Sequence, residues 1–278
     1  MAISRSTPIT GADRVHRHHA AVSALIRRVA DEVVLPRFRN LAAHEVLEKT
    51  PGELVTIADR EAEARLTEGL VAIDGDAVIV GEEACAADPA LVDQATAARA
   101  WIIDPIDGTA NFAAGQSPFG IMIALVENGE TQAGWLYDPV TARMCHAAIG
   151  AGAFIGDARV QARPSGAARP LAAVSKVGQS EEEHAARAGR FAASCTLVPL
   201  PRCAAENYPR LVLGENDIAV FRRTLVWDHA PGVLFLTEAG GYVGRWDGSP
   251  YRIGDEGVGI VAASSPDLGK RATDLLFG

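Results

Sequence analysis

The sequence predicts an α/β or α+β layered fold of alternating helices and sheets, and three observations indicate it. Apolar runs of strand length alternate with segments of helical periodicity along most of the 278 residues. Runs between residues 119 and 150 are separated by turn signals such as Asn128-Gly129, which is typical of antiparallel strands. A stretch rich in Ala, Pro, Gly and Arg at 157–170 separates two blocks of such elements.

The N-terminal block begins with an amphipathic helix from about Asp13 to Val34, because apolar residues recur on one helical face. A turn, an extended piece and a second helix follow, at Pro51-Gly52, at 54–57 and from Asp59 to just before Asp74. Strands are then predicted for "AVIVGEE", "ARAWIIDP", "FGIMIALVENGE", "QAGWLYDP" and "RMCHAAIG".

The C-terminal block alternates short apolar runs with helical segments. The predicted strands are "LAAVS", "TLVPL", "DIAVFRR" and "GVGIVAAS", and the predicted helices lie near 180–193, 203–213, 228–239 and 265–276. We therefore expect an N-terminal α+β subdomain over 1–160, carrying most candidate metal ligands, and a C-terminal α/β subdomain over 161–278, carrying Asp228.

The charge balance restricts the partners. A net charge of −9 argues against binding to a nucleic-acid polymer or an anionic membrane, because both need a surplus of Lys and Arg. No apolar run reaches the roughly 18 residues of a membrane span. The four cysteines, Cys85, Cys145, Cys195 and Cys203, lack zinc or redox spacing, so we expect reduced, mostly buried thiols and a cytoplasmic address.

The motif "WIIDPIDGTANF" carries the chemistry. An apolar strand, Trp101 to Ile103, delivers Asp104 to its end, and Pro105 is expected to stop regular strand pairing. Asp107 then opens a helix whose free N–H groups suit an anion. Two carboxylates so close favour a divalent cation between them, and oxygen ligands favour Mg²⁺ or Mn²⁺. An Asp helix cap followed by a turn would explain the pair equally simply.

Further carboxylates follow other predicted strands. Glu82 and Glu83 come directly after "VIVG", and Asp228 lies at a third strand-to-helix junction. Taken singly, these residues fit a solvated loop and a favourable helix N-terminus. Taken together with Asp104 and Asp107, they predict one acidic site.

Four segments, "EKTPGELVTIAD", "GEE", "DPIDGTANF" and "WDHAPGVLFLTEAGG", resemble the inositol monophosphatase family over about 45–241. The resemblance implies an inositol monophosphatase/fructose-1,6-bisphosphatase-like layered fold. It also implies a Mg²⁺-dependent, lithium-sensitive phosphatase, commonly a homodimer, that acts on a small phosphorylated metabolite.

The resemblance also implies residue roles. Two to three Mg²⁺ ions, or Mn²⁺ in their place, would be held by Glu82, Asp104, the Ile106 carbonyl, Asp107 and Asp228. Gly108 and Thr109 would cradle the phosphate together with Asp107 and Asp228. Thr109, with Glu53 as its acidic partner and Glu82 at the ions, would activate the attacking water.

The substrate contacts depart from the family pattern. Phe221 falls where family members place a glutamate that reads ring hydroxyls, and Arg222 and Arg223 follow it. Arg202 stands where a glycine is expected, beside Ala204 in the loop that meets the substrate. Arginines suit a second anionic group or a stacked base, although surface pairing would also explain them.

The sequence therefore predicts a phosphomonoesterase with inositol monophosphate as the default substrate. The departures bring in 3′-phosphoadenosine 5′-phosphate, histidinol phosphate and fructose 1,6-bisphosphate as alternatives. A regulatory relative that binds metal or phosphate without turnover is the competing class, and the complete set of acids favours the enzyme.

Overall fold

The computed structural model describes residues 15–50, 52–255 and 257–277. Asp13, the predicted start of the first helix, and Pro51 of the predicted turn lie outside these residues. Within the described ranges the chain forms eight α-helices and three sheets, of two, five and seven strands.

The N-terminal helix α1, His19–Val29, continues as a π-helical turn, Ala30–Val34, and a 3₁₀ turn, Leu35–Arg37. Its apolar face is buried as predicted, at Val22, Leu25, Ile26, Val29 and Val33. After a 3₁₀ turn at Ala43–Glu45, a hairpin of β1, Val46–Thr50, and β2, Glu53–Thr56, leads into helix α2, Ile57–Ile73.

Helix α2 begins two residues earlier than predicted. Its N-cap is Thr56, whose hydroxyl accepts from the backbone N–H of Ala58, while Asp59 at the third helical position accepts from the backbone N–H of Thr56. This capping box satisfies donors that the first helical turn leaves free. Asp59 therefore lies within the first turn of α2 as the third residue of the capping box, and the N-cap residue is Thr56.

The seven-stranded central sheet follows chain order. Its strands are β3, Val78–Gly81; β4, Ala100–Asp107; β5, Gly120–Glu127; β6, Glu130–Asp138; β7, Arg143–Ala148; β8, Gly152–Ile155; and β9, Ala158–Val160. Only β3 and β4 are parallel among these neighbours. The predicted antiparallel succession from β5 to β7 is confirmed.

Strand β4 runs further than predicted. It continues through Pro105 to Asp107, and every residue in it is buried. Its pairing with β5 is irregular between Asp104 and Asp107, so the proline occupies a position with no ladder bond to donate. The irregularity keeps the strand in the sheet while it turns both aspartates toward one place.

The five-stranded sheet has the order β11-β10-β12-β14-β13. Its strands are β10, Leu171–Val174; β11, Thr196–Leu197; β12, Ile218–Phe221; β13, Tyr242–Gly244; and β14, Ile260–Ala263. The remaining helices are α3, Glu82–Ala87; the 3₁₀ helix Pro89–Thr96; α4, Thr109–Ala113; α5, Glu181–Ser194; α6, Ala204–Leu213; α7, Val226–Glu238; and α8, Pro266–Phe277. Gly240 and Gly241 close α7 by donating to Thr237 and Leu236, the predicted C-cap role.

The elements stack in alternating layers, which confirms the predicted fold class. Along β5, Ile121, Ile123 and Leu125 pack in one core with α1 and α2, whereas Met122 faces a second core with α6 and α7. The five-stranded sheet covers the far side of α6 and α7, and α5 and α8 cover that sheet in turn. Whether the chain divides functionally near residue 160 stays a prediction.

Helix α7 lies directly on the central sheet. A Cβ on Gly134 of β6 would come within 2.9 Å of the Pro231 backbone, so only glycine permits this approach. The contact holds the N-terminal turn of α7, with Asp228, near the end of β4. Among the described residues, no helix combines the length and the apolarity that a membrane span requires.

Candidate metal centre

Three carboxylates from two distant parts of the chain meet at the end of β4. Asp104 and Asp107 belong to β4 and Asp228 to the first turn of α7, and one oxygen of each lies within 4.8 Å of the others. Asp104 and Asp107 are buried, and Asp228 is partly buried. We call these residues the carboxylate cluster.

The cluster is electrostatically unfavourable without a cation. Burial raises the pKa of Asp104 and of Asp228 well above the ordinary range, and the neighbouring carboxylates, including Glu82, raise both further. Burial also raises the pKa of Asp107 to about 6, although backbone N–H groups oppose the shift. A divalent cation would remove the repulsion, so an oxygen-only donor set of this kind fits Mg²⁺ or Mn²⁺.

Backbone donors fix the orientation of two cluster members. The N–H of Ile106 donates to Asp104 Oδ1 at 3.1 Å, and the N–H of Ala205 donates to Asp107 Oδ2 at 2.6 Å. Asp107 thus caps the first turn of α6, whose own N-cap residue, Cys203, makes no side-chain cap bond. One oxygen of each carboxylate is thus held in place by a backbone donor.

Thr109 contacts a buried acid that the sequence analysis did not select. Its hydroxyl lies 3.2 Å from Asp59 Oδ1 and 3.0 Å from the Ile106 carbonyl oxygen. The second oxygen of Asp59 accepts from the N–H and hydroxyl of Thr56. Burial raises the pKa of Asp59 to about 7, the range of a general base near neutral pH.

Glu53 lies elsewhere in the site. Its carboxylate pairs with Arg223, which joins the β1–β2 hairpin to the segment before α7. Both side chains are about two-fifths exposed. Because Asp59 is the acid that contacts Thr109, we replace Glu53 by Asp59 as its partner; the catalytic role of either acid stays a prediction.

Glu82 approaches the carboxylate cluster but is engaged by a lysine. Lys49 Nζ lies 3.0 Å from Glu82 and 2.5 Å from Glu83. The charge of Glu82 raises the pKa of both Asp104 and Asp228, which places it beside the cluster. Lys49 contacts only Oε1 of Glu82, and the role of Glu82 as a metal ligand stays a prediction.

A second buried acid, Glu63, holds the first turn of α3, which carries Glu82. Glu63 accepts from the backbone N–H groups of Glu83 at 2.7 Å and Ala84 at 2.9 Å, and so anchors the first turn of α3. Burial raises the pKa of Glu63 to about 7. A Cβ on Gly81 would lie 2.4 Å from this carboxyl group, so the glycine makes room for it.

Of the predicted substrate-binding residues, Phe221 and Ala204 are buried in the core, whereas Arg202 and Arg223 are exposed at the edge of the site, which we call the rim. Phe221 is 7% exposed and packs against Tyr208 and His229, at ring distances of 6.3 and 5.0 Å, so its ring belongs to the core and does not face an open pocket. Ala204 is buried at the start of α6. Arg202 is exposed with φ +56°, a left-handed conformation that explains why a glycine is expected there.

Gly108 joins β4 to α4 in a crowded left-handed turn. Its φ is +86°, and a Cβ there would lie 3.2 Å from the Cys203 Cβ and from the Pro118 carbonyl oxygen. Asn111 holds the same loops together by donating to the carbonyls of Pro118 and Pro201. The turn therefore brings the α4 N-terminus, as predicted, beside the carboxylate cluster, although α4 has only five residues.

The sequence does not single out Asp59, Glu63 or Lys49, because each fits a common structural role. Asp59 has T-x-x-D spacing from Thr56, which predicts a capping box and conceals a functional acid. Glu63 and Lys49 occur in charged stretches that look solvated. The packing of α2 against β4 buries Asp59 and Glu63 next to the motif residues, and Lys49 on β1 reaches the site through its contacts with Glu82 and Glu83.

Comparison with known proteins identifies the family of the chain. The sequence profile of the inositol monophosphatase family matches residues 16–276, and the chain belongs to that family. It is 28% identical to the Nus factor SuhB of Vibrio cholerae, over 89% of this chain and 92% of that one. It is 30% identical to a fructose-1,6-bisphosphatase/inositol-1-monophosphatase of Thermotoga maritima, over 73% and 76%.

Solved structures share the fold. An extragenic suppressor protein SuhB from Bartonella henselae superposes with a TM-score of 0.80 at 22% identity, covering 94% of this chain and 98% of that one. An IMPase from Thermotoga maritima gives a TM-score of 0.77 at 24% identity, covering 94% and 99%. These similarities establish the layered architecture.

Proposed function

We propose that the protein is a metal-dependent phosphomonoesterase that acts on a small phosphate ester. The observation that carries the proposal is the Thr109–Asp59 contact beside three converging carboxylates. Membership of a family whose relatives include phosphatases supports a hydrolase. Metal dependence, the identity of the ion and the number of ions are part of this proposal.

The metal ligands would be Asp104, Asp107 and Asp228, with the Ile106 carbonyl and Glu82 completing the set. We propose Mg²⁺, two to three ions, with Mn²⁺ as a substitute. When bound, such a cation supplies Lewis acidity that polarises the phosphate ester and offsets the charge of the carboxylates.

The chain's own residues would then order and deprotonate the nucleophile. Ionised Asp59 accepts a hydrogen bond from the Thr109 hydroxyl. The Thr109 oxygen can then accept a hydrogen bond from a water molecule and orient that water toward phosphorus. As the water oxygen bonds to phosphorus, its proton passes to Thr109 while Thr109 gives its own proton to Asp59; the ester P–O bond breaks, and the departing alkoxide takes a proton from solvent water. Because α4 begins at Thr109, its free N–H groups face the phosphoryl oxygens.

Inositol monophosphate is the default substrate. The exposed Arg223–Glu53 pair at the rim is an argument for substrates with a second anionic group. Arg223 and Glu53 neutralise one another in the absence of ligand, and an anion could take over the guanidinium. 3′-Phosphoadenosine 5′-phosphate, fructose 1,6-bisphosphate and histidinol phosphate are therefore the other candidates. The buried Phe221 offers no open surface for a base.

A regulatory protein without turnover is the second candidate, because two relatives are named Nus factor SuhB. Phosphate release from the four esters, measured with Mg²⁺ and with EDTA, separates the two. Turnover that needs Mg²⁺, is lost in Asp104→Asn and survives in the exposed control Asp93→Asn supports the enzyme. Mg²⁺ binding by the folded protein without release from any ester would overturn it.

Location, assembly and inhibition remain proposals. The four free, buried cysteines fit a reducing compartment, so we propose a cytoplasmic protein. A homodimer and lithium sensitivity are proposed from the family resemblance alone. Sedimentation and an inhibition curve with LiCl test these two properties.

A further inference from the structure

Three arginines outside the carboxylate cluster come together beside the segment 175–180. Arg187 and Arg190 are one turn apart on α5, and Arg222 directly follows β12. Burial lowers the pKa of Arg187; the charge of Arg190 lowers it further, Glu183 offsets part of the shift, and Arg222 adds to it. Arg222 also contacts the Gly178 carbonyl, two residues before the N-cap of α5, and we call Arg187, Arg190 and Arg222 the arginine cluster.

Several donors in the arginine cluster have no partner. Nε and Nη1 of Arg187 and Nε of Arg190 are buried without a hydrogen bond to any described residue. Glu183 accepts from the Ser180 backbone N–H in the capping box of α5, and it forms no ion pair within 4.0 Å with an arginine among the described residues. Buried guanidinium donors without partners are unusual, and a missing anion would explain them.

Two contacts hold the guanidinium groups in place before any ligand arrives. Arg187 lies over the Trp246 ring, with its Cζ 4.2 Å from the ring centroid. Arg222 donates to the carbonyl oxygen of Gly178. Positioned donors lose little entropy when they bind a ligand.

The arginine cluster adjoins the rim of the carboxylate site. A Cβ on Gly178 would lie 3.5 Å from the Cβ of Arg223, the residue that pairs with Glu53. The charge of Arg223 in turn acts on Asp228, because it lowers the pKa of that carboxyl group against the larger effect of burial. A basic surface therefore leads from Asp228 past Arg223 to Arg222 and α5.

We propose that Arg187, Arg190 and Arg222 form a second phosphate-binding site, separate from the carboxylate cluster and next to its rim. Its ligand is a phosphate dianion, for which the guanidinium fork is the matching donor. The dianion could be a free phosphate compound or the distal phosphate of a substrate held at the carboxylate cluster. Two experiments test the site and distinguish these sources.

The first experiment measures pyrophosphate binding by calorimetry to the full chain in EDTA. We expect one saturable site whose Kd rises at least about tenfold in Arg187→Gln/Arg190→Gln and also rises in Arg222→Gln, because charge-assisted bonds are lost. Arg65→Gln, an exposed arginine on α2, is the matched control and should leave the Kd within about twofold. Circular dichroism confirms that each variant folds, and the exposed Arg222 provides a test if the α5 variant does not.

Absence of saturable binding at millimolar pyrophosphate would overturn the site. So would an unchanged Kd in both Arg187→Gln/Arg190→Gln and Arg222→Gln. Binding that is altered by Asp228→Asn but by none of the arginine variants would assign the ligand to the carboxylate cluster and equally overturn the proposal.

The second experiment rests on the proposed function and compares adenosine 3′,5′-bisphosphate with adenosine 3′-monophosphate as substrates. If the arginine cluster binds the distal phosphate, the ratio of their kcat/KM values falls about tenfold in Arg187→Gln/Arg190→Gln. An unchanged ratio, with pyrophosphate binding lost, identifies a site for free phosphate compounds. No turnover of either ester or of inositol monophosphate, with pyrophosphate binding intact, refutes the enzyme and leaves the phosphate site standing.

Discussion

The Thr109 hydroxyl lies between two acceptors, Oδ1 of Asp59 at 3.2 Å and the carbonyl oxygen of Ile106 at 3.0 Å. It has one proton, so it can serve only one of them at a time. Asp59 cannot rotate away, because Thr56 holds its other oxygen through two hydrogen bonds. The capping box of α2 therefore positions the acid that faces the reactive threonine.

Replacement of Asp59 should remove the proton acceptor without removing the metal ligands. We expect Asp59→Asn to lower kcat by about 10² to 10⁴ while Mg²⁺ affinity changes little, since a general base contributes about that much. Steady-state kinetics and Mg²⁺ titration measure the two effects. Glu53→Gln is the comparison variant, and its loss in kcat should be smaller; the reverse order would restore Glu53 as the partner of Thr109.

The rate should rise with pH as Asp59 loses its proton. Burial raises the pKa of Asp59 to about 7 in the absence of metal, and only the ionised form can accept the Thr109 proton. Bound cations favour ionisation, so the acidic limb of the kcat profile should lie at or below pH 7. A pH–rate profile that keeps this limb in Asp59→Asn would assign it to another group.

Above about pH 6.5 metal-free protein should lose stability as pH rises, because the buried histidines His146 and His229, whose pKa values burial lowers to about 4 and about 3, no longer offset the buried carboxyl groups. The pKa values of Asp59 and Glu63 are raised to about 7 and that of Asp107 to about 6, so the folded chain holds protons that the unfolded chain releases. Their contribution is present below the unfolded pKa and is lost as pH passes through the folded pKa. Thermal melts in EDTA at about pH 6.5 and pH 8 measure the difference.

Mg²⁺ should reverse much of this loss. At 100 times its Kd the ion adds about 2.7 kcal/mol, which corresponds to a Tm increase on the order of 5 °C at this chain length. Asp104→Asn should abolish the increase and raise the Tm of the metal-free protein at pH 8, because it removes one buried charge. An equal Mg²⁺ response in Asp104→Asn would place the ion elsewhere.

Gly108→Ala should destabilise the protein more than a left-handed conformation alone would explain. An alanine at φ +86° is strained, and its Cβ would also press on Cys203 and on the Pro118 carbonyl at 3.2 Å. We expect a loss of about 2 to 4 kcal/mol in the free energy of unfolding. Gly248→Ala, at φ +84° with no atom within 4 Å of the new Cβ, is the control and should lose only about 1 to 2 kcal/mol. Equal losses of unfolding free energy for the two variants in urea melts would mean that the loops carrying Cys203 and Pro118 move aside for the new methyl group.

Glu63→Gln should weaken metal binding through Glu82. The amide keeps the size of the side chain but retains only one oxygen for the two N–H groups of Glu83 and Ala84, which costs about 1 to 3 kcal/mol. The first turn of α3 should then shift, and we expect Mg²⁺ affinity to fall about 10-fold to 100-fold, as for other supporting contacts of metal sites. Calorimetry with Mg²⁺ tests this. A stability loss with unchanged affinity would limit Glu63 to a structural role.

Several properties could be predicted from the sequence because they depend on local patterns. The apolar periodicity of α1, the antiparallel succession from β5 to β7 and the glycine cap of α7 follow from residue spacing and turn chemistry. The motif "DPIDGT" likewise predicted Asp104 at the end of a buried strand, whereas Asp107, predicted to open the next helix, is the last residue of β4, and α4 begins at Thr109. The family assignment rests on such motifs in their order.

Other properties were decided by tertiary packing. Asp59 faces Thr109 only because α2 packs against β4, fifty residues further along the chain. Pro105 stays within β4 because an irregular pairing with β5 accommodates it, which its own preference did not indicate. Phe221 is core because Tyr208 and His229 surround it.

The sequence by itself predicted the acids of the motifs, Asp104, Asp107 and Asp228, and the turns beside them, because strand ends, prolines and glycines act on their neighbours in the chain. Only the tertiary structure decided which acid meets Thr109, that Lys49 engages Glu82, and that Arg187, Arg190 and Arg222 come together. The physical reason is that burial and charge proximity arise between elements distant in sequence, and these effects set the pKa values and the free hydrogen-bond donors on which the chemistry depends.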